Sequence, residues 1–219
     1  MPEQENQLSM THVKYDDTPQ GSIFGPGEEP VNTLLDNAPP EGNWIDLGAG
    51  DGRYTKRILT HCSSLTAFDI DERALSKLER EIDLSLRHKL TLKTGDLTNP
   101  LPFGDNQFDG TFCASTIHIF PERIIENIIC EMVRIARPGG RVILDFFHNV
   151  ERVMSDGKLY LYPGEISYDA PSAQRIIDRC FRGKTTTVKV ANIADDFETD
   201  NGVVKYKFNG RLFVVECIA

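Results

Sequence analysis

The sequence lacks any apolar run long enough to cross a lipid bilayer, and it also lacks an excess of positive charge. No stretch approaches the roughly 20 apolar residues that span a membrane, and the N-terminus has no basic stretch followed by an apolar one, as a secretory signal would. Lys and Arg number 24 against 33 Asp and Glu, for a formal charge of −9, which opposes binding to nucleic-acid phosphates or anionic lipids. We therefore expect a cytoplasmic protein whose partners include neither a membrane nor a nucleic acid.

Closely spaced cysteine pairs are missing too. The five cysteines are odd in number and widely spread, at Cys62, Cys113, Cys130, Cys180 and Cys217. Structural zinc sites and redox couples usually need a C-x-x-C pair, which this chain does not contain. We expect free thiols in a reducing compartment and no bound metal.

The first forty residues show few signs of a long regular element. Proline or glycine recurs there at positions 19, 21, 25, 26, 27, 30, 39 and 40. The 219-residue chain is ordinary in composition, with 40% hydrophobic and 26% charged residues, and its length suits one α/β domain. We predict a lid or cap segment over residues 1–40, with a short helix over Val31–Asn37, followed by one domain over residues 41–219.

From Trp44 onward, short apolar runs alternate with helical patterns, which is typical of β-α units on a parallel sheet. The five predicted strands, all expected to be buried, are Trp44–Leu47, Leu65–Ile70, Leu90–Thr94, Phe108–Ala114 and Arg141–Phe146. The clearest helix, Glu122–Arg137, has a broad apolar stripe at helical spacing and is followed by Pro138-Gly139-Gly140, which would end it. Asp71 is expected to cap a helix that follows it, and a further helix is predicted over Ser172–Cys180.

The C-terminal part changes character, because its apolar residues alternate at a period of two. Three strand segments are predicted there, at Lys184–Val190, Val203–Phe208 and Leu212–Cys217. Asn209-Gly210, between the last two, favours a type I′ hairpin turn. The sheet is therefore expected to finish with antiparallel strands.

The most informative stretch is Trp44–Thr55, in which a predicted buried strand leads into a glycine-rich turn and then a helix. Glycines at positions 48, 50 and 52 let the backbone turn tightly and approach a ligand closely. Their spacing is G-x-G-x-G, not the G-x-G-x-x-G of dinucleotide-binding domains, and Asp46 precedes them. A carboxylate at the mouth of such a turn suits a ligand with an amino group better than a pyrophosphate.

Two more carboxylates end predicted strands. Asp69 closes the second strand about 20 residues after Gly48, the spacing expected of an acid that binds ribose hydroxyls. Asp96 follows the third strand, where it could accept a hydrogen bond from an adenine amine. Each alone is more often a turn or helix-capping residue. Together with the glycine turn, they favour a nucleoside with an amino-acid tail, such as S-adenosylmethionine (SAM).

Motifs in the same order resemble those of class I SAM-dependent methyltransferases, particularly the small-molecule branch. They are Asp46–Gly52, Phe68-Asp69-Ile70, Gly95-Asp96-Leu97, Phe108–Ser115 and Arg134–Gly140. The resemblance covers about residues 42–147 and is specific for the family but not for a substrate. It implies a doubly wound, Rossmann-like, mostly parallel seven-stranded sheet with an antiparallel strand near the C-terminus.

The resemblance also implies roles for individual residues. It assigns SAM binding to Asp46, Gly48, Ala49, Gly50, Gly52, Asp69, Ile70, Asp96, Leu97, Ala114 and Ser115. Among these, the glycine turn would contact the methionine part, Asp69 the ribose, and Ile70 the base. Ala114 and Ser115 would border the methyl group. Asp51 stands where many relatives have a small or hydroxylated residue.

Residues outside these motifs are candidates for the acceptor side of the site. His118 follows the fourth strand closely, and its imidazole could take a proton from a nucleophile; a structural histidine is the alternative. Tyr15 could fold over the cofactor, as aromatic residues upstream of the first strand do in similar enzymes, or simply pack. His148 and Tyr168 flank a stretch predicted to be irregular that could cover a substrate.

Four functions remain open at this point. Methyl transfer to a small molecule is favoured, because no Asn-Pro-Pro-Tyr-like or Pro-Cys motif of nucleic-acid methylation follows the fourth strand. An aminopropyltransferase would share Gly50-Asp51-Gly52, but it would need an acid where Cys113-Ala114-Ser115-Thr116 stands. An NAD-dependent oxidoreductase is disfavoured by the glycine spacing and Asp46. A non-catalytic SAM-binding subunit is the fourth reading.

Overall fold

The computed structural model describes residues 28–160, 166–198 and 205–219. Its helices are α1 (Glu28–Asn37), α2 (Thr55–His61), α3 (Glu72–Glu81), α4 (Glu122–Ile135) and α5 (Ala170–Cys180). Its strands are β1 (Asn43–Leu47), β2 (Ser64–Asp69), β3 (Leu90–Thr94), β4 (Phe108–Cys113), β5 (Ala136–Met154), β6 (Thr186–Glu198) and β7 (Lys205–Ile218). Single turns of 3₁₀ helix lie at Arg87–Lys89 and Ile117–Ile119.

The seven strands form one sheet in the order β3-β2-β1-β4-β5-β7-β6. Strands β1 to β5 pair in parallel, whereas β7 is antiparallel to both of its neighbours, β5 and β6. The chain order reverses between β1 and β4, because β1 lies next to β2 on one side and next to β4 on the other. This confirms the doubly wound, mostly parallel sheet with an antiparallel strand near the C-terminus.

Helices cover both faces of the sheet and divide the core in two. Apolar residues of α1, α2 and α3 pack on one face with Trp44 and Phe112. Those of α4 and α5 pack on the other with Ile45 and Leu144. The stripe predicted for α4 is buried as expected, at Ile125, Ile128, Ile129 and Met132. Asp71 caps α3 by accepting from the Arg73 amide at 2.8 Å, as predicted. All five cysteines are free thiols, as expected.

Two of the parallel strands differ from prediction. The third strand, Leu90–Thr94, was expected to be buried, but β3 is an edge strand with half-buried and exposed residues. The fifth strand was expected to end at Phe146 before an irregular stretch, but β5 continues to Met154 because β7 pairs with it over its length, apart from an irregularity between His148 and Glu151. His148 therefore lies within a strand.

The predicted hairpin turn at Asn209-Gly210 is wrong. Both residues lie inside β7, where Asn209 pairs with Glu151 of β5 and with Ala194 of β6. The bulge in β5 faces Gly210, and a Cβ on this glycine would be in ordinary van der Waals contact with Val150, at 3.5 Å. Gly210 thus lies opposite a bulge in the neighbouring strand, which is a common position for glycine in strands. Hydrogen bonds to strands on both sides outweigh the local turn preference.

The described part of the predicted lid packs on the domain. Val31 and Leu35 of α1 are buried in the core, and the carbonyl of Ala38 accepts from the Arg141 guanidinium at 2.7 Å. The remaining residues of the segment, 1–27, lie outside the described residues.

Candidate active site

The glycine turn lies at the carboxyl end of β1, between β2 and β4. Gly48, Gly50 and Gly52 all have positive φ, at 73°, 53° and 93°. A Cβ on Gly48 would overlap Thr116 after β4, and one on Gly52 would overlap Leu78 of α3. Glycine is therefore needed at both positions for backbone conformation and for space. The amides of Gly48 and Ala49 donate to the Phe68 carbonyl, which joins the turn to β2.

Asp69, at the end of β2, holds the turn in place. Its carboxylate accepts from the backbone amides of Gly50 and Asp71, each at 2.8 Å. Burial raises the pKa of Asp69, and these amide bonds oppose the rise. Next to it, Ile70 exposes 53% of its surface. A carboxylate beside an exposed apolar side chain suits a ribose joined to a flat base.

Asp46 lies beneath the turn and is almost fully buried. It accepts a hydrogen bond from the Thr55 hydroxyl, at the start of α2, at 2.6 Å. Burial raises the pKa of Asp46 to about 7, although the Thr55 bond counteracts it. In the described structure, the carboxylate therefore joins β1 to the start of α2.

Asp51, whose role the sequence left open, forms a buried ion pair. Its carboxylate is 3.1 Å from the Lys77 ammonium of α3, and the two side chains expose 3% and 10% of their surface. This pair fixes the middle of the glycine turn to α3. Removing one member of a buried ion pair typically costs about 3–5 kcal/mol.

Asp96 and Leu97 follow β3. Just before them, the Gly95 amide donates to the Asp69 carbonyl at 2.9 Å, which joins this end of β3 to the end of β2. Asp96 accepts from the amide and the hydroxyl of Thr98, each at 2.8 Å. Leu97 is half-buried against the core. Both residues thus lie beside Asp69 at the same sheet edge, with Asp96 engaged in its own turn.

Sequence reasoning missed Asp145, which organises the loop after β4. Asp145 lies in β5 and is 0% exposed. One of its oxygens, Oδ1, accepts from the Ser115 amide at 2.6 Å, and Ser115 has a φ of 55°, unusual for a residue other than glycine. Within the described residues, the other oxygen, Oδ2, is buried without a hydrogen-bond partner. The only sequence signal is an acid inside the apolar run Val142–Phe147.

Arg53 and Tyr54 complete this polar group from the start of α2. Arg53 forms an ion pair with Glu28 of α1 at 2.8 Å, and its Nη1 lies 3.5 Å from the Ser115 hydroxyl. The Tyr54 hydroxyl is buried and, in the part of the chain that the structure describes, has no partner in hydrogen-bonding geometry. Burial raises the pKa of Asp145 to about 7, with the Ser115 amide and the charge of Arg53 opposing the rise. We refer to Arg53, Tyr54, Ser115 and Asp145 as the polar nest.

His118 lies on the 3₁₀ turn after β4, and its ring centroid is 5.1 Å from that of Phe147 in β5. Its Nδ1 is buried, with no hydrogen-bond partner among the described residues. Burial, and secondarily the positive charge of Arg152, lowers the pKa of His118 to about 4. The imidazole is therefore neutral near pH 7 and can accept a proton or a hydrogen bond.

The other residues that the sequence suggested for the site do not all lie at this sheet edge. Ala114 is buried directly before Ser115. His148 is buried in β5, with its ring centroid 4.1 Å from that of Phe213, and the Tyr168 hydroxyl donates to the Phe120 carbonyl at 2.7 Å. His148 and Tyr168 thus pack within the domain. Tyr15 lies outside the described residues.

The described residues contain no group of three or more His, Cys, Asp or Glu that could hold a metal ion. They also contain no helix long and apolar enough to span a membrane.

The part of the chain that forms the candidate site matches one family of known proteins. Residues 45–140, which hold the glycine turn, Asp69, the end of β4 and α4, match a family model described as a methyltransferase domain. The order of the motifs in the sequence and the order of the strands in the sheet agree with that match.

Two similar proteins are both named demethylmenaquinone methyltransferase. The chain is 31% identical over 121 residues to a demethylmenaquinone methyltransferase of Tropheryma whipplei, covering 53% of this chain and 47% of the relative. It is 28% identical over 182 residues to the demethylmenaquinone methyltransferase of Desulfitobacterium hafniense, covering 72% and 71%. The match thus spans about half the length of the first relative.

The fold is also found among solved structures. A SAM-dependent methyltransferase from Mesorhizobium loti superposes with a TM-score of 0.59 at 14% identity, over 90% of this chain and all of that one. At this identity the likeness shows the fold alone.

Proposed function

We propose that this chain is a class I, SAM-dependent methyltransferase that transfers the methyl group of SAM to a small-molecule acceptor; residues 45–140 match a family model described as a methyltransferase domain. The observation that carries this proposal is the meeting of three features at one sheet edge: the glycine turn after β1, Asp69 at the end of β2, and the Ala114–Ser115 loop after β4. Ligands of open α/β sheets bind at this edge, where the strand order reverses.

The residues present suit SAM. Asp69 offers carboxylate oxygens for the ribose hydroxyls, and exposed Ile70 offers an apolar surface for the base. The buried Oδ2 of Asp145, which lacks a partner among the described residues, offers an acceptor beside the loop after β4. Asp96 and Leu97 extend this edge toward the adenine. When bound, SAM supplies an activated methyl group on a sulfonium.

The chain's own part in the reaction is to align the acceptor and exclude water. Ser115, held by Asp145, fixes the loop that would border the methyl group. His118 would accept a proton from an acceptor that must lose one. Its low pKa keeps it unprotonated near pH 7, and its ring packs edge-to-face against that of Phe147.

We propose that residues 1–40 cap a SAM-binding domain formed by residues 41–219, and that the N-terminal part of the cap, with Tyr15, closes over bound cofactor. Amide exchange with and without the demethylated cofactor, S-adenosylhomocysteine, tests this. Protection of residues 1–27 should rise on binding; high protection that ligand does not change would mark fixed scaffold instead.

Calorimetry and a turnover screen test the function itself. SAM and S-adenosylhomocysteine should bind, and NAD should not bind with useful affinity; equal or tighter NAD binding would refute the proposal. An unbiased metabolite screen for SAM-dependent mass gains of ~14 Da then identifies the acceptor. Demethylated quinones are the first acceptors to test, given the names of the relatives. Binding of SAM without turnover of any acceptor would favour a non-catalytic subunit.

A further inference from the structure

We propose that β6, the strand at one edge of the sheet, is the contact surface through which two copies of this chain pair edge to edge. The two copies would be related by a two-fold axis through Asn192, so that both present the same strand to each other. Their sheets would then join into one. This proposal concerns assembly and is independent of the reaction that the chain catalyses.

Strand β6 lacks the features that usually keep an edge strand from pairing. Among the described residues it pairs only with β7, over all 13 of its residues. Edge strands of natural proteins are usually short, bulged or interrupted by proline. The opposite edge strand, β3, has only five residues, whereas β6 is long and its sequence contains no proline. An edge of this length can accept a further strand.

The hydrogen bonds to β7 show which backbone groups of β6 face outward. The Ile218 amide donates to the Thr185 carbonyl at 3.0 Å, and the register of the two strands places these residues directly opposite each other. In an antiparallel ladder, such hydrogen-bonded pairs alternate with pairs whose amides and carbonyls point away from each other. Every second residue after Thr185 therefore points its backbone groups outward: Thr186, Val188, Val190, Asn192, Ala194, Asp196 and Glu198.

Two copies of this edge match each other along their whole length. Antiparallel pairing of Thr186 with Glu198 of the second copy brings Asn192, the midpoint of β6, opposite Asn192 of that copy. Because Asn192 belongs to the outward set, outward residues then lie opposite outward residues, and each can donate and accept one backbone hydrogen bond. A register displaced by one residue would place outward residues opposite inward ones.

The residues that this register brings together are complementary. Lys189, which is exposed, comes opposite Asp195 of the second copy, and the symmetry forms this pair twice. Val190, with 61% of its surface exposed, comes opposite the exposed Ala194. Opposite charges and apolar pairs across an antiparallel ladder both stabilise it. Since the lysine and the acid lie at equal distances on either side of the midpoint, β6 is complementary to itself, which favours a second copy over an unrelated strand.

Val190→Pro tests the backbone part of this interface. The Val190 amide points outward, so proline removes a hydrogen bond between the copies and none to β7. Sedimentation of the full chain at several concentrations should show a dimer for the wild type, with a Kd of about 10 μM or below, and a monomer for the variant. Val190→Thr keeps the amide and the β-branched shape, and its Kd should stay within about 3-fold of wild type.

Charge reversal tests the register. Lys189→Glu and Asp195→Lys should each weaken dimerisation by about 10-fold or more, because each places like charges opposite each other twice. The double variant restores opposite charges and should dimerise nearly as well as the wild type. Lys158→Glu makes the same charge change at an exposed position outside β6 and should leave dimerisation unchanged. Melting curves verify that every variant is folded.

A wild-type protein that stays monomeric up to about 100 μM would overturn the proposal. A dimer that persists unchanged in folded Val190→Pro and in both single charge reversals would overturn it too, because its interface would then lie elsewhere. Weakened dimerisation that the double variant does not recover would overturn the register centred on Asn192.

Discussion

At the scale of single residues, the most consequential side chains are the buried carboxylates Asp46, Asp69 and Asp145. Asp46 and Asp69 could be predicted from the sequence because each lies beside a turn or strand end that local pattern reveals. Asp145 could not, because it interrupts an apolar strand and its partner, the Ser115 amide, is 30 residues away in the chain. Its position depends on the pairing of β4 with β5, which no local pattern encodes.

Asp69→Ala is expected to weaken SAM binding by about 2–3 kcal/mol, since it removes a charge-assisted acceptor for the ribose hydroxyls. The structure adds a cost to folding, because the same carboxylate holds the Gly50 and Asp71 amides. Titration calorimetry measures the first effect and a melting curve the second. Asp69→Asn, whose single side-chain oxygen can accept from only one of the two amides, should melt between Asp69→Ala and wild type. Unchanged affinity in a folded Asp69→Ala protein would exclude Asp69 from the site.

His118→Ala is expected to lower turnover by roughly 10²-fold or more, with SAM affinity nearly constant, if the acceptor must lose a proton. A pKa near 4 predicts the pH dependence. In the wild type, turnover that depends on His118 should be lost only as pH falls through about 4, whereas an ordinary histidine would lose it near pH ~6.5. A pH–rate profile measures this. Full turnover in a stable variant would exclude catalysis by His118, and lost stability with poor SAM binding would mark a structural residue.

At the scale of secondary structure elements, hydrophobic period and capping were sufficient for the parallel part of the sheet and its helices. These signals failed where pairing with neighbouring strands determines how far a strand extends. Strand β7 continues through Asn209-Gly210 because β5 and β6 pair with it on both sides, and β5 extends to Met154 for the same reason. The partial exposure of β3 could not be predicted from its sequence, because the order of the strands decides which strand lies at the edge of the sheet.

Two glycine substitutions test this account of the strands. Gly210→Ala should change the free energy of unfolding by less than about 1 kcal/mol, because Gly210 does not have positive φ and an added Cβ meets Phe208 at 3.2 Å, which requires only a small shift. Gly110→Ala in β4 should be far worse, costing about 3 kcal/mol or more, because its Cβ would overlap the buried Trp44 indole. Denaturant titrations compare them. A large loss for Gly210→Ala would support a turn at this position.

At the scale of the whole molecule, the doubly wound, mostly parallel sheet followed from the alternation of elements together with the family resemblance. Sequence could not show that buried acids make the stability of the molecule depend on pH. Asp145 has a pKa of about 7 in the folded protein, against 3.8 for an unperturbed Asp. Folding therefore favours its protonated form, and its burial lowers stability progressively as pH rises from about 4 to 7.

Asp145→Asn removes this titration. The stability of the variant relative to wild type should increase across that pH window, by up to about 1.4 kcal/mol per pH unit. Melting curves from pH 4 to 8 measure the difference. Asp156→Asn, at an exposed site where the wild-type pKa is lowered by Lys158, should show no such increase. A difference that stays constant with pH would contradict the buried, proton-binding state of Asp145.

The buried pair of Asp51 and Lys77 has a consequence for how this chain can diverge. Losing the lysine charge alone leaves the buried Asp51 carboxylate without its ammonium, whereas losing both charges removes the conflict. A lineage that loses the lysine first must therefore pass through a poorly folded intermediate, unless position 51, 26 residues away in the chain, changes at nearly the same time. Among descendants of this chain, an acid at position 51 should be inherited together with a base at position 77.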